Sequence, residues 1–181
     1  MIALILGGTR SGKSAVAESL ITKWAVGAPV TYLATALVDA RDADHAARVQ
    51  THQDRRGSGW ITRELAEDED LTQVLAATSG PVLLDSLGTW LTRHFDEATE
   101  SFSVDVEPVL AALARRDGDT VIVSEEVGLA VHPPTRLGRR YVDAIGHLNQ
   151  QVSAVADHRA LVVAGQVLSL GRADAWSDGL Q

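Results

Sequence analysis

Cysteine is absent from the sequence, and methionine occurs once. Without thiols there is no disulfide and no thiolate metal site, a composition suited to a reducing, cytoplasmic setting. Basic residues are outnumbered: 16 Lys and Arg stand against 24 Asp and Glu, a formal net charge of -8. A chain of that balance lacks the broad basic face with which proteins track nucleic acid. No apolar run approaches the roughly 18 residues that a membrane span needs. The N-terminus carries neither a basic n-region nor a signal cleavage site. Repeats, linkers and low-complexity stretches are missing as well. The 181 residues, 45% hydrophobic, therefore read as one domain, residues 1–181, with a core of its own.

What the chain does have is alternation. Short continuous apolar runs predict strands over Met1–Leu6, Val30–Ala34, Val82–Asp85, Thr120–Ser124 and Ala160–Ala164, with a shorter strand at Trp60-Ile61-Thr62. Between them lie helical patterns near Ala15–Ile21, Asp70–Ala77, Gly88–His94, Val106–Arg116 and Arg136–Asp157. A polar stretch from Asp39 to Arg56 also has helical spacing, with His45, Arg48 and His52 on one face. Pro133-Pro134 requires a loop over Gly128–Thr135, and residues 172–181 are polar and read as loose. Continuous apolar strands alternating with helices predict an α/β fold, its mostly parallel sheet covered on both faces.

The strongest signal is Gly7-Gly8-Thr9-Arg10-Ser11-Gly12-Lys13-Ser14, between the first strand and the first helix. This is the G-x-x-x-x-G-K-[ST] pattern in the context that makes it a phosphate loop. Gly7 and Gly12 let the backbone curl so that N–H groups converge on one anion. The helix start adds unpaired N–H groups. Lys13 brings a positive charge to the β and γ phosphates, and the Ser14 hydroxyl is a ligand for Mg²⁺.

Other residues carry two readings each. Asp85, at the end of a buried strand, is a second Mg²⁺ ligand or the N-cap of the next helix. Asp85-Ser86-Leu87-Gly88 spells the D-x-x-G of signalling GTPases, but their guanine-reading N-K-x-D is absent. His52, surrounded by Arg48, Arg55 and Arg56, is a nucleophile at phosphorus or a solvated histidine on a polar helix. Glu126 is a candidate general base for a substrate hydroxyl, or it caps the loop after its strand. His94, His147 and His158 are scattered without metal-ligand spacing.

Taken together, these stretches resemble one family, the bifunctional adenosylcobinamide kinase/adenosylcobinamide-phosphate guanylyltransferases of cobalamin biosynthesis. The likeness rests on the phosphate loop, then Tyr32-Leu33-Ala34-Thr35. Next come Arg48-Val49 with His52, Arg56, Trp60, Thr62 and Glu64, similar to R-[IV]-x-x-H-x-x-x-R-x-x-x-W-x-T-x-E. Leu84-Asp85, Glu126-Val127-Gly128, Pro133 and Arg136-Leu137-Gly138-Arg139 follow, then Asp143, Gly146, Asn149-Gln150 and Leu161-Val162-Val163-Ala164-Gly165. Two positions depart from the family pattern. Gly57 stands where members usually have proline, and Glu125 where they usually have asparagine, which brings a carboxylate toward the phosphates.

The resemblance implies a RecA-like P-loop core and two reactions. ATP or GTP phosphorylates adenosylcobinamide, and GTP then guanylylates the product through a GMP–histidine intermediate. His52 matches the guanylylated histidine, with Lys13 as the second catalytic residue. The implied nucleotide contacts are Gly7 to Ser14, Ala34-Thr35-Ala36, Gln53-Asp54-Arg55-Arg56, Glu64 and Asp85. Mg²⁺ is the implied cofactor, held by Ser14 and Asp85. The partner is a small corrinoid rather than nucleic acid or membrane, and the implied assembly is a homo-oligomer, a trimer in many members. The residues alone also allow a small-molecule kinase without guanylyl transfer, or a non-enzymatic, nucleotide-gated binding module.

Overall fold

The structure is a computed structural model and describes residues 1–36, 57, 59–172 and 175. Its main sheet has seven strands in the order β3-β2-β4-β7-β1-β8-β9. These are β1 (Ile2–Gly7), β2 (Val30–Ala34), β3 (Trp60–Glu64), β4 (Val82–Asp85), β7 (Thr120–Glu125), β8 (His158–Val163) and β9 (Gln166–Ser169). Every pair of neighbours is parallel except β8 and β9. The five strands expected from apolar runs lie in this one sheet, and Trp60-Ile61-Thr62 opens the edge strand β3. Strand β7 separates the Asp85 strand from the phosphate-loop strand. That arrangement is the expected RecA-like P-loop class.

The interior strands β1, β4 and β7 are mostly apolar because both their faces are covered. Ala3 and Ile5 of β1 pack with Leu83, Val121, Val123 and the buried side of α1 (Lys13–Ala25). Leu4 and Leu6 face the opposite way, into a core with Leu84, Ile122 and residues of the other helices. Those helices are α2 (Leu71–Ala77), α3 (Leu87–Thr92), α4 (Glu107–Arg115) and α5 (Arg136–Val155). Period-two alternation in a strand buried on both sides therefore sorts side chains between two cores, not between core and water.

Local chemistry sets the boundaries. Asp70 caps α2 by accepting from the Thr72 N–H, and Thr135 caps α5 by accepting from Gly138. At the other helix after a sheet strand, the cap is Ser86, so Asp85 is not the N-cap that one sequence reading allowed. Two elements went unforeseen. A hairpin of β5 (Phe95–Asp96) and β6 (Ser101–Phe102) stands in the polar connection after α3, and β9 folds back antiparallel on β8. Residues 37–56, with the predicted helical face of His45, Arg48 and His52, lie outside the described residues.

Candidate functional site

Parallel strands deliver their carboxyl ends to one edge, where ligands of open α/β sheets bind. Along that edge the register pairs Ala34 with both Asp85 and Glu64, and Gly7 with Glu125. The phosphate loop leaves β1 there. A Cβ on Gly7 would stand 2.5 Å from Ser11 Oγ and 2.8 Å from the Val162 carbonyl, so the loop closes only over glycine. Gly12 has φ +96°, the left-handed region that glycine adopts freely. Ser11, buried, ties the loop to the next turn: its carbonyl accepts from Gly165 N–H at 2.8 Å.

At the end of α1 reached through this loop the N-cap, Gly12, offers no side chain and the first turn holds no acid; the Lys13 N–H donates to Ser11 Oγ at 3.3 Å. Lys13 occupies its first position. A cation at the positive end of a helix dipole is unfavourable by itself, on the order of 0.3–1 kcal/mol, and is compensated when an anion binds beside it. Among the described residues, Lys13 Nζ makes one long contact, 3.4 Å, to the Gly8 carbonyl.

Asp85 ends β4 half-buried. Tyr32 donates its hydroxyl to Asp85 Oδ2 at 3.1 Å, and among the described residues it is the donor to that carboxylate. Behind Asp85 the chain is fixed by hydroxyls. Thr35, fully buried, donates to the Ser86 carbonyl at 2.6 Å and accepts from the Ser86 N–H at 3.0 Å. The Thr35 hydroxyl thus holds the loop after Asp85. Arg93 joins the same edge from the far end of α3. Its guanidinium donates to the carbonyls of Thr35 at 3.3 Å and Leu65 at 2.9 Å, and also to that of Ala66. The ends of β2 and β3, with the predicted Ala34-Thr35-Ala36 and Glu64, are clamped together by one side chain.

Glu125 and Glu126 end β7 in different ways. Glu126 accepts from the Gly128 N–H at 2.8 Å, so one carboxylate oxygen caps its own loop. Glu125 turns toward α3. It accepts from Ser86 Oγ at 2.8 Å and from the Gly88 N–H at 3.0 Å. The carboxylate expected to face the phosphates is therefore engaged by the first turn of α3. Nearby, burial first and then the Glu125 charge push the Tyr141 phenol up to about 12. Asn149, buried, fastens α5 to this strand end, accepting from Ser124 Oγ at 2.6 Å and donating to the Glu125 carbonyl at 3.0 Å.

The structure thus gathers Gly7 to Ser14, Ala34 to Ala36, Glu64, Asp85 and Glu126 at one edge of the sheet. His52, Gln53, Asp54, Arg55 and Arg56 lie outside the described residues. Ser14 and Asp85 offer hard oxygen donors, the type Mg²⁺ takes when phosphate oxygens fill the rest of its shell, so the residues present fit that ion. Sequence reasoning did not find Arg93, nor the contact of Tyr32 with Asp85. Both depend on which strands are neighbours, which no local pattern in the chain announces.

Residues 3–170 match the family described as cobinamide kinase / cobinamide phosphate guanyltransferase. The bifunctional adenosylcobalamin biosynthesis protein CobU of Salmonella typhimurium (strain LT2) is 35% identical, the alignment covering 91% of this chain and 97% of the relative. The bifunctional adenosylcobalamin biosynthesis protein CobP of Pseudomonas aeruginosa is 37% identical over 92% of this chain and 95% of its own length. Among solved structures, the flagellar accessory protein FlaH of Methanocaldococcus jannaschii gives a TM-score of 0.49 at 11% identity, covering 92% of this chain and 74% of that one.

Proposed function

The chain belongs to the cobinamide kinase / cobinamide phosphate guanyltransferase family, and from that premise we propose how its two reactions are divided among its residues. The enzyme phosphorylates adenosylcobinamide and then transfers GMP from GTP to the phosphate it has made. The phosphate loop serves the first step. The substrate hydroxyl attacks the γ-phosphorus, the new P–O bond forms, and the nucleoside diphosphate leaves. Lys13 stabilises charge on the transferring group, and the free oxygen of Glu126 takes the hydroxyl proton. Ser14 and Asp85 would hold Mg²⁺, which when bound would neutralise phosphate charge. Ala34, Thr35, Ala36 and Glu64 line the nucleotide beside it.

The second step runs through His52. An imidazole nitrogen attacks the α-phosphorus of GTP, forming an N–P bond as pyrophosphate leaves. A phosphate oxygen of adenosylcobinamide phosphate then displaces the imidazole, giving adenosylcobinamide-GDP. Gln53, Asp54, Arg55 and Arg56 hold the nucleotide during this exchange. A kinase without guanylyl transfer, and a non-catalytic nucleotide module, are not favoured by the family. The same reading makes the chain one transferase domain, cytoplasmic, assembled as a homo-oligomer such as a trimer, with a corrinoid rather than nucleic acid as partner. The absence of cysteine supports the cytoplasmic setting, and the net charge of -8 supports the exclusion of nucleic acid as partner. Among the described residues no helix is long and apolar enough to cross a membrane.

The observation that carries the reading is the start of α1, with glycine as its N-cap, no acid in its first turn, Lys13 at its first position and Asp85 at the same sheet edge. The test is incubation with GTP labelled at the α-phosphorus and Mg²⁺, without corrinoid, followed by intact mass. A GMP adduct should form that survives alkali and breaks in acid, as a phosphoramidate does. His52→Ala should lose the adduct and guanylyl transfer while retaining phosphorylation of adenosylcobinamide. His45→Ala should still form the adduct. Guanylylated His52→Ala protein, or no adduct on the wild type, contradicts the histidine assignment.

A further inference from the structure

We propose that Tyr32 is a positioning residue of the metal site, acting through Asp85. The inference rests on the reading of Asp85 as a metal carboxylate. Ala34 pairs with Asp85 and Tyr32 with Leu83, so Tyr32 and Asp85 are diagonal neighbours on one face of adjacent strands. An aromatic side chain spans that diagonal, and the Tyr32 hydroxyl reaches Asp85 Oδ2 at 3.1 Å. The ring is anchored, since Tyr32 packs on the core beneath α1 together with Trp60.

A carboxylate that is to meet a metal ion needs a fixed plane and one oxygen left over. The main chain of Asp85 is already fixed, for its carbonyl accepts from the Thr35 N–H at 3.2 Å and the next peptide is held by Thr35. What remains is rotation of the carboxylate about its own bonds. A hydrogen bond to Oδ2 restrains it and leaves Oδ1 for a metal ion or a metal-bound water. The donor is neutral. A lysine or arginine there would compete with the cation for the same charge, whereas a phenol orients the group without neutralising it.

The experiment measures Mg²⁺ dependence of nucleotide binding by calorimetry, with the α,β-methylene analogue of GTP, which cannot guanylylate the enzyme. Tyr32→Phe keeps the ring and removes one hydroxyl. It should raise the half-saturating Mg²⁺ concentration about fivefold, the scale of one hydrogen bond. Affinity for the analogue in the presence of a chelator should be unchanged. Asp85→Asn should shift the Mg²⁺ dependence further, and adding Tyr32→Phe to it should change nothing more. Unaltered Mg²⁺ dependence in Tyr32→Phe, with Asp85→Asn strongly shifted, overturns the inference, as does an additive loss in the double variant. Unaltered Mg²⁺ dependence in Asp85→Asn overturns instead the metal reading on which it stands.

Discussion

Two helices begin at the same edge of the sheet, and their first turns are treated in opposite ways. Helix α1 follows β1, and α3 follows β4. The start of α3 is filled by the protein itself. Ser86 and Thr89 form a capping box, and the Glu125 carboxylate accepts from Gly88 N–H and Ser86 Oγ. The start of α1 has a glycine for a cap, no acid, and a lysine at its first position. Every helix N-terminus carries unpaired N–H groups and a positive end. One of the two here has an internal anion. The other is arranged for an anion from outside.

The largest test of that contrast is Lys13→Ala. Removing the cation from the open terminus should lower the rate of adenosylcobinamide phosphorylation on the order of 10²–10³-fold, the usual loss for one group that stabilises transition-state charge. The fold should be unaffected, as Lys13 is not part of either core. Near wild-type turnover, measured by transfer of labelled γ-phosphate, would break the comparison at its first member.

A pair of glycine substitutions sharpens it. A Cβ on Gly88 would stand 2.0 Å from Glu125 Oε2 and 2.6 Å from the Tyr141 hydroxyl, whereas one on Gly8 has nothing within 4 Å. Gly88→Ala should cost about 1–3 kcal/mol of stability, the range for overpacking. Gly8→Ala should leave the denaturation midpoint near that of the wild type and weaken nucleotide binding, since the space it enters is the space of the ligand. Equal stability losses in the two variants would mean that the α1 terminus is not open.

The smallest effect concerns the filled side. Tyr141 keeps its proton in the folded state up to about 12, against an ordinary value of 10.0. Between those two values the folded chain binds more protons than the unfolded one, so stability falls as pH rises through that window. Tyr141→Phe should flatten this alkaline loss in denaturant titrations at stepped pH. An unchanged slope in Tyr141→Phe would place the alkaline sensitivity elsewhere.

The two termini also differ in how far the sequence discloses them. The phosphate loop is local: strand, loop, lysine and helix follow one another, so Gly7 to Ser14 could be read directly. The same holds for β1, β2, β4, β7 and β8, whose continuous apolar runs reflect burial on both faces. The filled terminus joins Glu125 to Ser86, residues that meet only because β7 lies beside β4. For the same reason, the Glu125 carboxylate looked from sequence like a charge facing phosphates, and the Tyr32–Asp85 contact could not be read at all. Strand β9 escaped notice because all four of its residues are exposed, leaving no alternation to detect. The β5–β6 hairpin, two residues to a strand, is too short to show a period.

The account stands most directly on where the triphosphate sits. Amide-resolved hydrogen exchange, with and without Mg²⁺ and the α,β-methylene analogue of GTP, measures it at both helix starts at once. The prediction is slowed exchange from Gly8 to Ser14, with no change at Gly88 and Thr89. Unchanged exchange from Gly8 to Ser14 under saturating nucleotide, or protection at Gly88 in its place, would contradict the account.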